Sequence, residues 1–132
     1  MEAGASNLQL KMIPLLYCRD MKEAISFYTG ILDFQLKYPG DDSGDGVVDL
    51  VNGEAELQLC SFEGAKNGIA VNVRVDDIDG LFKKYIERGL DTSPKKDSPV
   101  HQGPLDQTWG MREFYVTDPS GNTLRFRKPI NM

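Results

Sequence analysis

The chain has 132 residues, 40% of them apolar, which suits a single globular domain with one core. Its formal net charge of −5 argues against nucleic acid as a partner, because phosphates are bound by clustered lysine and arginine. The sequence has no apolar run of about 18 residues and no basic, apolar leader, so we expect no membrane span and a cytoplasmic location. Residues 1–10 are expected to form a loose N-terminal arm.

The first predicted strand covers residues 11–18 and is apolar on both faces. Pro14 cannot donate to a ladder, which places this strand at an edge, a bulge or a chain crossing. Asp20, with Glu23 three residues later, resembles a capping box, and apolar residues at helical spacing then continue to Leu32. These features predict an amphipathic helix after the first strand.

A short strand at residues 34–38 and two alternating runs at 47–51 and 54–61 follow this helix. The two runs are separated by Asn52-Gly53, a dipeptide typical of two-residue hairpins. On the second run, Leu57 and Leu59 share one face and are expected to meet the helix. The other face carries Glu56, Gln58 and Cys60.

The same order of elements then begins again. A strand is predicted at residues 69–75, and Asp77 caps a second amphipathic helix that ends at Gly89. A short strand or turn is expected at residues 90–93, followed by a polar loop at 94–108.

The chain closes on a predicted hairpin between residues 113–117 and 123–127. Pro119 fixes its own φ near −65°, and Gly121 or Asn122 can adopt positive φ, so the segment between the runs is expected to turn tightly. Large side chains with polar tips are concentrated in and before this hairpin: Trp109, Met111, Arg112, Tyr115 and Arg125. Their density suggests a ligand-binding wall, although Trp109 could also close the core.

Asp20 and Asp77, the two helix caps, are 57 residues apart, and the same offset aligns the apolar stripes of the two helices. We therefore predict an α+β fold of two βαβββ modules, at about residues 11–62 and 68–128, within one domain at 11–128. The two modules would form a curled mixed β-sheet around a cleft, with the helices on the outer face.

Several motifs resemble the vicinal oxygen chelate superfamily, and most closely its bleomycin resistance branch. The opening Pro14-Leu-Leu-Tyr-Cys-Arg-Asp20 and the segment Phe27-Tyr28-x3-Leu32-Asp33-Phe34 are similar to the start of that family. Trp109-Gly-Met-Arg-Glu-Phe114 and Asp118-Pro-Ser-Gly-Asn-x-Leu-Arg-Phe126 are similar to its end. The resemblance spans about residues 11–128.

Metal-dependent members of the superfamily place ligands on the first and last strands of each module. The matching first-strand positions are Ile13 and Ala70, and the last-strand position of the second module is Arg125, none of which binds a metal. The first module keeps either Glu56 or Gln58 at its last-strand position. The resemblance therefore implies a protein without metal, cofactor or catalytic residues, and an enzymatic role is uncertain and disfavoured.

The resemblance implies capture of a bulky aromatic or cationic small molecule, such as a bleomycin-type glycopeptide, in a groove of a homodimer whose N-terminal strands exchange near Pro14. Arg74, Arg125 and Arg127 would instead suit an anionic ligand. The candidate contacts are Trp109, Met111, Arg112, Tyr115, Arg125, Glu56, Gln58, Phe34, Tyr38 and Phe62; the last three could equally be core residues. Arg112 and Glu113 are expected to include one structural ion pair.

Two other functions remain open at the level of sequence. One is a metal-dependent, glyoxalase-like lyase, isomerase or dioxygenase, and the other is a module whose groove binds a protein or peptide. His101 is expected to be a loop histidine rather than a ligand contact. The acidic segment around Asp41, Ser43 and Asp45 is interpreted as a solvated turn, because a calcium loop would need a carboxylate where Asn52 stands.

Overall fold

The computed structural model describes residues 11–40, 46–61, 68–93 and 103–130. Within these ranges, strands and helices follow the predicted order of strand, helix and three strands, twice. The elements are β1 (Leu15–Tyr17), α1 (Met21–Gly30), β2 (Gln35–Leu36), β3 (Val47–Asn52), β4 (Ala55–Cys60), β5 (Ala70–Arg74), α2 (Ile78–Glu87), β6 (Leu105–Asp106), β7 (Met111–Thr117) and β8 (Thr123–Pro129).

The strands form two four-stranded mixed sheets, one per module, in the orders β1-β4-β3-β2 and β5-β8-β7-β6. The pairs β1–β4 and β5–β8 are parallel, and the other pairs are antiparallel. The predicted α+β class with two βαβββ modules is therefore confirmed. Register shows the repeat directly: Leu15 pairs with Gln58 in the first sheet, and Asn72 pairs with Arg125 in the second.

Both helices begin at the predicted caps. The side chain of Asp20 accepts from the amide of Glu23 at 3.1 Å, and Asp77 accepts from the amide of Gly80 at 3.0 Å. The first helix ends at Gly30, a residue of low helix propensity.

One core cluster joins both modules, because each sheet packs its apolar face against the helices. The alternation predicted for β4 is confirmed, since Leu57 and Leu59 are both buried. In the second module Phe114 stacks on Phe126 with ring centroids 4.9 Å apart. Cys18 and Cys60 are buried free thiols.

Asn122, in the β7–β8 turn, forms hydrogen bonds to both modules. Its side-chain amide donates to the carbonyl of Tyr17 on β1 at 2.7 Å, and its side-chain oxygen accepts from the amide of Ile69 beside β5 at 3.1 Å. Gly121 has φ +93° and so supplies the positive φ that the turn needs. Gly68 lies so close that a Cβ there would be 2.7 Å from the carbonyl oxygen of Gly121.

Local details differ from the sequence prediction in two places. The β3–β4 turn is centred on Gly53-Glu54 rather than Asn52-Gly53, because Asn52 pairs with Ala55 and its amide donates to the carbonyl of Leu32 at 3.2 Å. Residues 90–93 form no strand. The short strand of the second module lies instead at Leu105–Asp106, inside the segment predicted to be a loop.

Several sequence interpretations concern residues outside the described ranges, namely those of Asp41, Ser43, Asp45, Phe62 and His101. Among the helices that are described, none has the length and apolar character needed to cross a membrane.

Candidate ligand-binding site

One face of the second sheet lies toward the helices, and no helix among the described residues lies over the other. Phe114, Val116, Leu124 and Phe126 point to the helices and are buried. Strand alternation and cross-strand register put a different set on the opposite face. We call this the open face, and its polar members are Asn72, Arg74, Glu113, Tyr115, Arg125 and Arg127.

Glu113 is the centre of the open face, and its side chain is fully buried. One carboxylate oxygen accepts from the indole nitrogen of Trp109 at 3.1 Å and from Nε of Arg127 at 2.8 Å. The other oxygen accepts from the hydroxyl of Tyr115 at 2.8 Å. A buried carboxylate requires such partners, because desolvation of an unpaired charge is costly.

These contacts determine the protonation of Glu113. Burial alone would raise the pKa of the Glu113 carboxyl, but hydrogen bonds from Trp109 and Tyr115 and the charge of Arg127 outweigh it and lower the pKa below its usual value. Burial and the hydrogen bond to Glu113 raise the pKa of the Tyr115 hydroxyl. At neutral pH the side chain of Glu113 is therefore an ionised carboxylate, and it accepts hydrogen bonds from neutral and cationic donors.

Arg125 lies beside Glu113, but its ion pair with the Glu113 carboxylate is long. Its Nη2 is 3.5 Å from Glu113, at the limit of a hydrogen bond, and its guanidinium carbon is 5.2 Å from the centre of the Tyr115 ring. Hydrogen bonding to Tyr115 raises the pKa of Arg125, so the cation is permanent. The buried Nε of Arg125 has no hydrogen-bond partner among the described residues.

Trp109 stands at the edge of the open face with 56% of its surface exposed. It precedes Gly110, whose φ of +86° forms the turn between β6 and β7. The amide of Gln107 donates to the carbonyl of Met111 at 2.7 Å and closes this turn. The indole is thus exposed but oriented, because its nitrogen is held by Glu113. Met111, the first residue of β7, is half-buried.

The corresponding face of the first sheet is balanced in charge. Glu56 accepts from Lys11 and from Lys37, each at 2.9 Å, and the lysines, Lys11 first, lower the pKa of its carboxyl. Gln58 donates to Asp49 at 2.9 Å. Because Leu15 pairs with Gln58 as Asn72 pairs with Arg125, Gln58 rather than Glu56 is the repeat counterpart of Arg125.

These residues do not fit a divalent metal ion. The two repeat-related positions offer an amide and a guanidinium, and a catalytic zinc site needs about three protein ligands. Both oxygens of Glu56 are already engaged by lysines. Across the described ranges, no three His, Cys, Asp or Glu side chains come together as a metal-binding group.

The remaining sequence candidates do not gather on the open face. Arg112 alternates with Glu113 and lies on the helix side of β7, where it pairs with Asp79 at 2.8 Å and with Asp106 at 3.0 Å. Arg112 and Glu113 therefore belong to two different ion-pair groups rather than one. Strand alternation could have revealed this, since Arg112 is in phase with the core residue Phe114.

Phe34 and Tyr38 also lie apart from Trp109. Phe34 is 7% exposed and makes an edge contact with Tyr28, as a core residue does, whereas Tyr38 is 54% exposed. Phe34 lines a cavity of about 360 Å³ between the modules, whose walls include Leu57, Val71, Asn72, Arg74 and Leu124. Asn72 and Arg74 therefore border both this cavity and the open face.

Comparison with known proteins gives a consistent match over most of the chain. A family model described as "Glyoxalase/Bleomycin resistance protein/Dioxygenase superfamily" matches residues 11–126. A bleomycin resistance protein of Geobacillus stearothermophilus is 28% identical over 92% of this chain and 98% of its own length.

Solved structures agree with this. A bleomycin-binding protein complexed with bleomycin superposes with a TM-score of 0.75 at 22% identity, over 91% of this chain and 98% of that one, which shows a common fold. A bleomycin-binding protein from the bleomycin producer Streptomyces verticillus, complexed with copper(II)-bleomycin, gives a TM-score of 0.69 at 28% identity. That alignment covers 89% of this chain and 94% of the other.

Proposed function

This chain belongs to the glyoxalase/bleomycin resistance protein/dioxygenase superfamily, and we propose that it is a metal-free binding protein that sequesters a bulky aromatic small molecule. Relatives named bleomycin resistance proteins, and similar structures solved with bleomycin, support an antibiotic-type ligand. The observation that carries the proposal is Trp109, an exposed indole whose nitrogen is held by the buried Glu113. A large exposed aromatic side chain in a fixed orientation is suited to stacking against a ligand.

Sequestration needs only equilibrium capture. The indole of Trp109 provides a flat apolar surface, and its orientation is set before the ligand arrives, which reduces the entropy lost on binding. Beside it, the Arg125 guanidinium lies over the ring of Tyr115, which is only 7% exposed. No bond is made or broken in this process, and the ligand is simply withheld from its target.

The donor set argues against the alternative of a metal-dependent lyase, isomerase or dioxygenase. Such chemistry uses a metal as Lewis acid, and the repeat-related pair Gln58 and Arg125 cannot supply its ligands. Elemental analysis of the purified protein tests this. A stoichiometric divalent ion that disappears in Glu56→Ala would overturn the metal-free assignment.

We propose further that the binding groove forms between two copies of the chain. Apolar side chains around Pro14 support this, because Met12 is 91% exposed and Ile13 and Leu15 are each 44% exposed. A run of exposed apolar residues just before and at the start of β1 is a typical contact surface between subunits. A second subunit would also lie over the open face, which no described helix of one chain covers.

Trp109 is the only tryptophan in the chain, so its fluorescence reports directly on the proposed site. We expect bleomycin or another bulky aromatic ligand to shift or quench its emission saturably, with a matching heat in calorimetry. Trp109→Ala should weaken the calorimetric affinity by about tenfold or more, as loss of a stacking aromatic does. Ile86→Ala, a change at an exposed residue of α2, is the control and should bind normally.

Absence of binding would contradict the proposed function. If neither bleomycin nor other bulky aromatic compounds give saturable heat or any change in Trp109 emission, small-molecule sequestration is wrong. Recovery of a stoichiometric protein partner under those conditions would support a protein-binding module instead.

A further inference from the structure

The open face carries an excess of positive charge, although the chain as a whole has a net charge of −5. Among the described residues, three arginines, Arg74, Arg125 and Arg127, share this face with a single carboxylate, Glu113. In the first module, by contrast, Lys11 and Lys37 are matched by Glu56 and Asp49. Within the described part of the chain, this excess of positive charge therefore lies in the second module.

Register places these cations next to one another. Arg74 pairs with Arg127 across the β5–β8 ladder, and Asn72 pairs with Arg125. Adjacent like charges on one face of a sheet are unfavourable unless another group neutralises them. Glu113 neutralises one, because Arg127 is bound through Nε and Nη2 at 2.8 Å each.

The other two arginines, Arg125 and Arg74, can still bind an anionic group. Arg125 hydrogen-bonds to Tyr115 and reaches Glu113 only at 3.5 Å, and 28% of its side-chain surface stays exposed. Arg74 is exposed and makes no ion pair within the described ranges. Asn72, also exposed, pairs with Arg125 and precedes Arg74 by two residues on β5, so it adds an amide donor next to both. One oxyanion could therefore receive hydrogen bonds from two arginines and one amide.

We propose that Arg125, Arg74 and Asn72 form an anion-binding subsite, and that the aromatic ligand carries a carboxylate, sulfonate or phosphate group. This inference rests on the proposed small-molecule function. The anion binds at the arginines while the aromatic part stacks on Trp109 at the edge of the same face. Arg127 and Glu113 are positioning residues, since their mutual ion pair leaves Arg125 and Arg74 available.

Two fluorescent probes that differ by one charged group test this directly. They are 8-anilinonaphthalene-1-sulfonate and its uncharged parent, N-phenyl-1-naphthylamine. We expect one sulfonate probe per chain to bind about tenfold or more tightly than the parent, as charge-assisted hydrogen bonds would give. Raising the salt concentration should reduce this preference, because salt screens partly exposed charges.

Substitutions test which residues cause the preference for the sulfonate probe. Arg125→Met should abolish the preference for the sulfonate, Arg74→Gln should reduce it, and Arg125→Lys should restore part of it by keeping the charge. Lys22→Gln is the matched control, because it removes one positive charge from the exposed side of α1 and should keep the full preference. Circular dichroism establishes that each variant is folded, and the ratio of the two probe affinities isolates the contribution of the sulfonate group.

The outcomes separate this inference from the function on which it rests. If both probes bind equally tightly, or if Arg125→Met keeps the preference, the anion subsite is wrong while small-molecule binding stands. If neither probe binds saturably to the wild-type protein, both proposals are wrong.

Discussion

The hydroxyl of Tyr28 donates a 2.9 Å hydrogen bond to the carboxylate of Asp118, which lies 90 residues further along the chain. Both side chains are buried, and the bond joins α1 of the first module to the β7–β8 turn of the second. Burial, followed by the charge of Asp118, raises the pKa of Tyr28 well above its usual value, so the phenol remains a neutral donor.

Tyr28→Phe removes this donor and leaves a buried carboxylate with one hydrogen bond fewer. We expect the free energy of unfolding to fall by about 1–3 kcal/mol, the range for a buried acceptor that loses its partner. Urea denaturation measures the change. Tyr38→Phe is the matched control, because Tyr38 is 54% exposed, and it should stay within about 0.5 kcal/mol of wild type.

Asn122→Ala should be more damaging, because one side chain supplies three contacts: to Tyr17, Ile69 and Asp118. Its loss leaves buried polar groups of both modules unpaired, and we expect about 2–4 kcal/mol of destabilisation. Asn52→Ala, which loses one half-buried hydrogen bond to Leu32, should cost about 1 kcal/mol or less. Equal effects in the two variants would contradict the linking role of Asn122.

Glu113 makes stability depend on pH in a defined direction. Its pKa in the folded protein lies below the usual value of 4.5, so the stabilisation is complete above that value and is lost as the pH falls through the folded-state pKa. Glu113→Gln should be less stable than wild type at pH 7 by about 2–4 kcal/mol, because Arg127 loses its partner. This difference in the free energy of unfolding between Glu113→Gln and wild type should become smaller as the pH falls below about 4.5.

Thermal unfolding of both proteins between pH 7 and pH 3 measures this effect. Glu87→Gln, at an exposed position of α2, is the control and should track the wild-type curve. A difference between Glu113→Gln and wild type that stays constant down to the lowest pH would rule out a lowered pKa of Glu113 in the folded protein.

Arg112 and Arg125 should affect ligand binding differently, because they lie on opposite faces of the second sheet. Arg112→Ala removes contacts to Asp79 and Asp106, so we expect faster amide exchange in β6 and unchanged ligand affinity. Arg125→Met should lower the affinity for an anionic aromatic ligand and leave exchange in β6 unchanged. Exchange measured by mass spectrometry, together with calorimetry, distinguishes the two.

The proposed dimer depends on the exposed apolar residues next to Pro14. Introducing two charges with Met12→Glu and Ile13→Glu should weaken association by at least about tenfold, since charges are depleted from interface cores. Sedimentation equilibrium of both proteins measures this. Ile86→Glu changes an equally apolar, exposed residue on α2 and should leave association unchanged. A monomeric wild-type protein would contradict the shared groove.

Local signals predicted the elements of this fold well. The caps Asp20 and Asp77 and the glycines of the hairpins act within a few residues, so their effects can be deduced from sequence. The strand at Leu105–Asp106 could not be, because two residues carry no periodicity and their pairing depends on β7. The position of the β3–β4 turn likewise depends on a contact between Asn52 and the distant Leu32.

The sequence indicated which residue types form the candidate site, but it did not indicate how their side chains contact one another. Sequence indicated Trp109, Tyr115 and Arg125, and alternation alone could have assigned Arg112 to the other face. The grouping of Trp109, Tyr115 and Arg127 around Glu113 requires the register of β7 against β8, which no local pattern specifies.

The β7–β8 turn holds the two halves of this duplicated protein in a single folding unit. The carbonyl of Tyr17 accepts from Asn122 and the hydroxyl of Tyr28 donates to Asp118, so both residues of the first half bind the turn of the second. Gly68 also lies against Gly121. A fragment ending at residue 61 would expose those groups and lose half of the shared core. We therefore expect that neither half folds alone, and that the two halves melt in one cooperative transition.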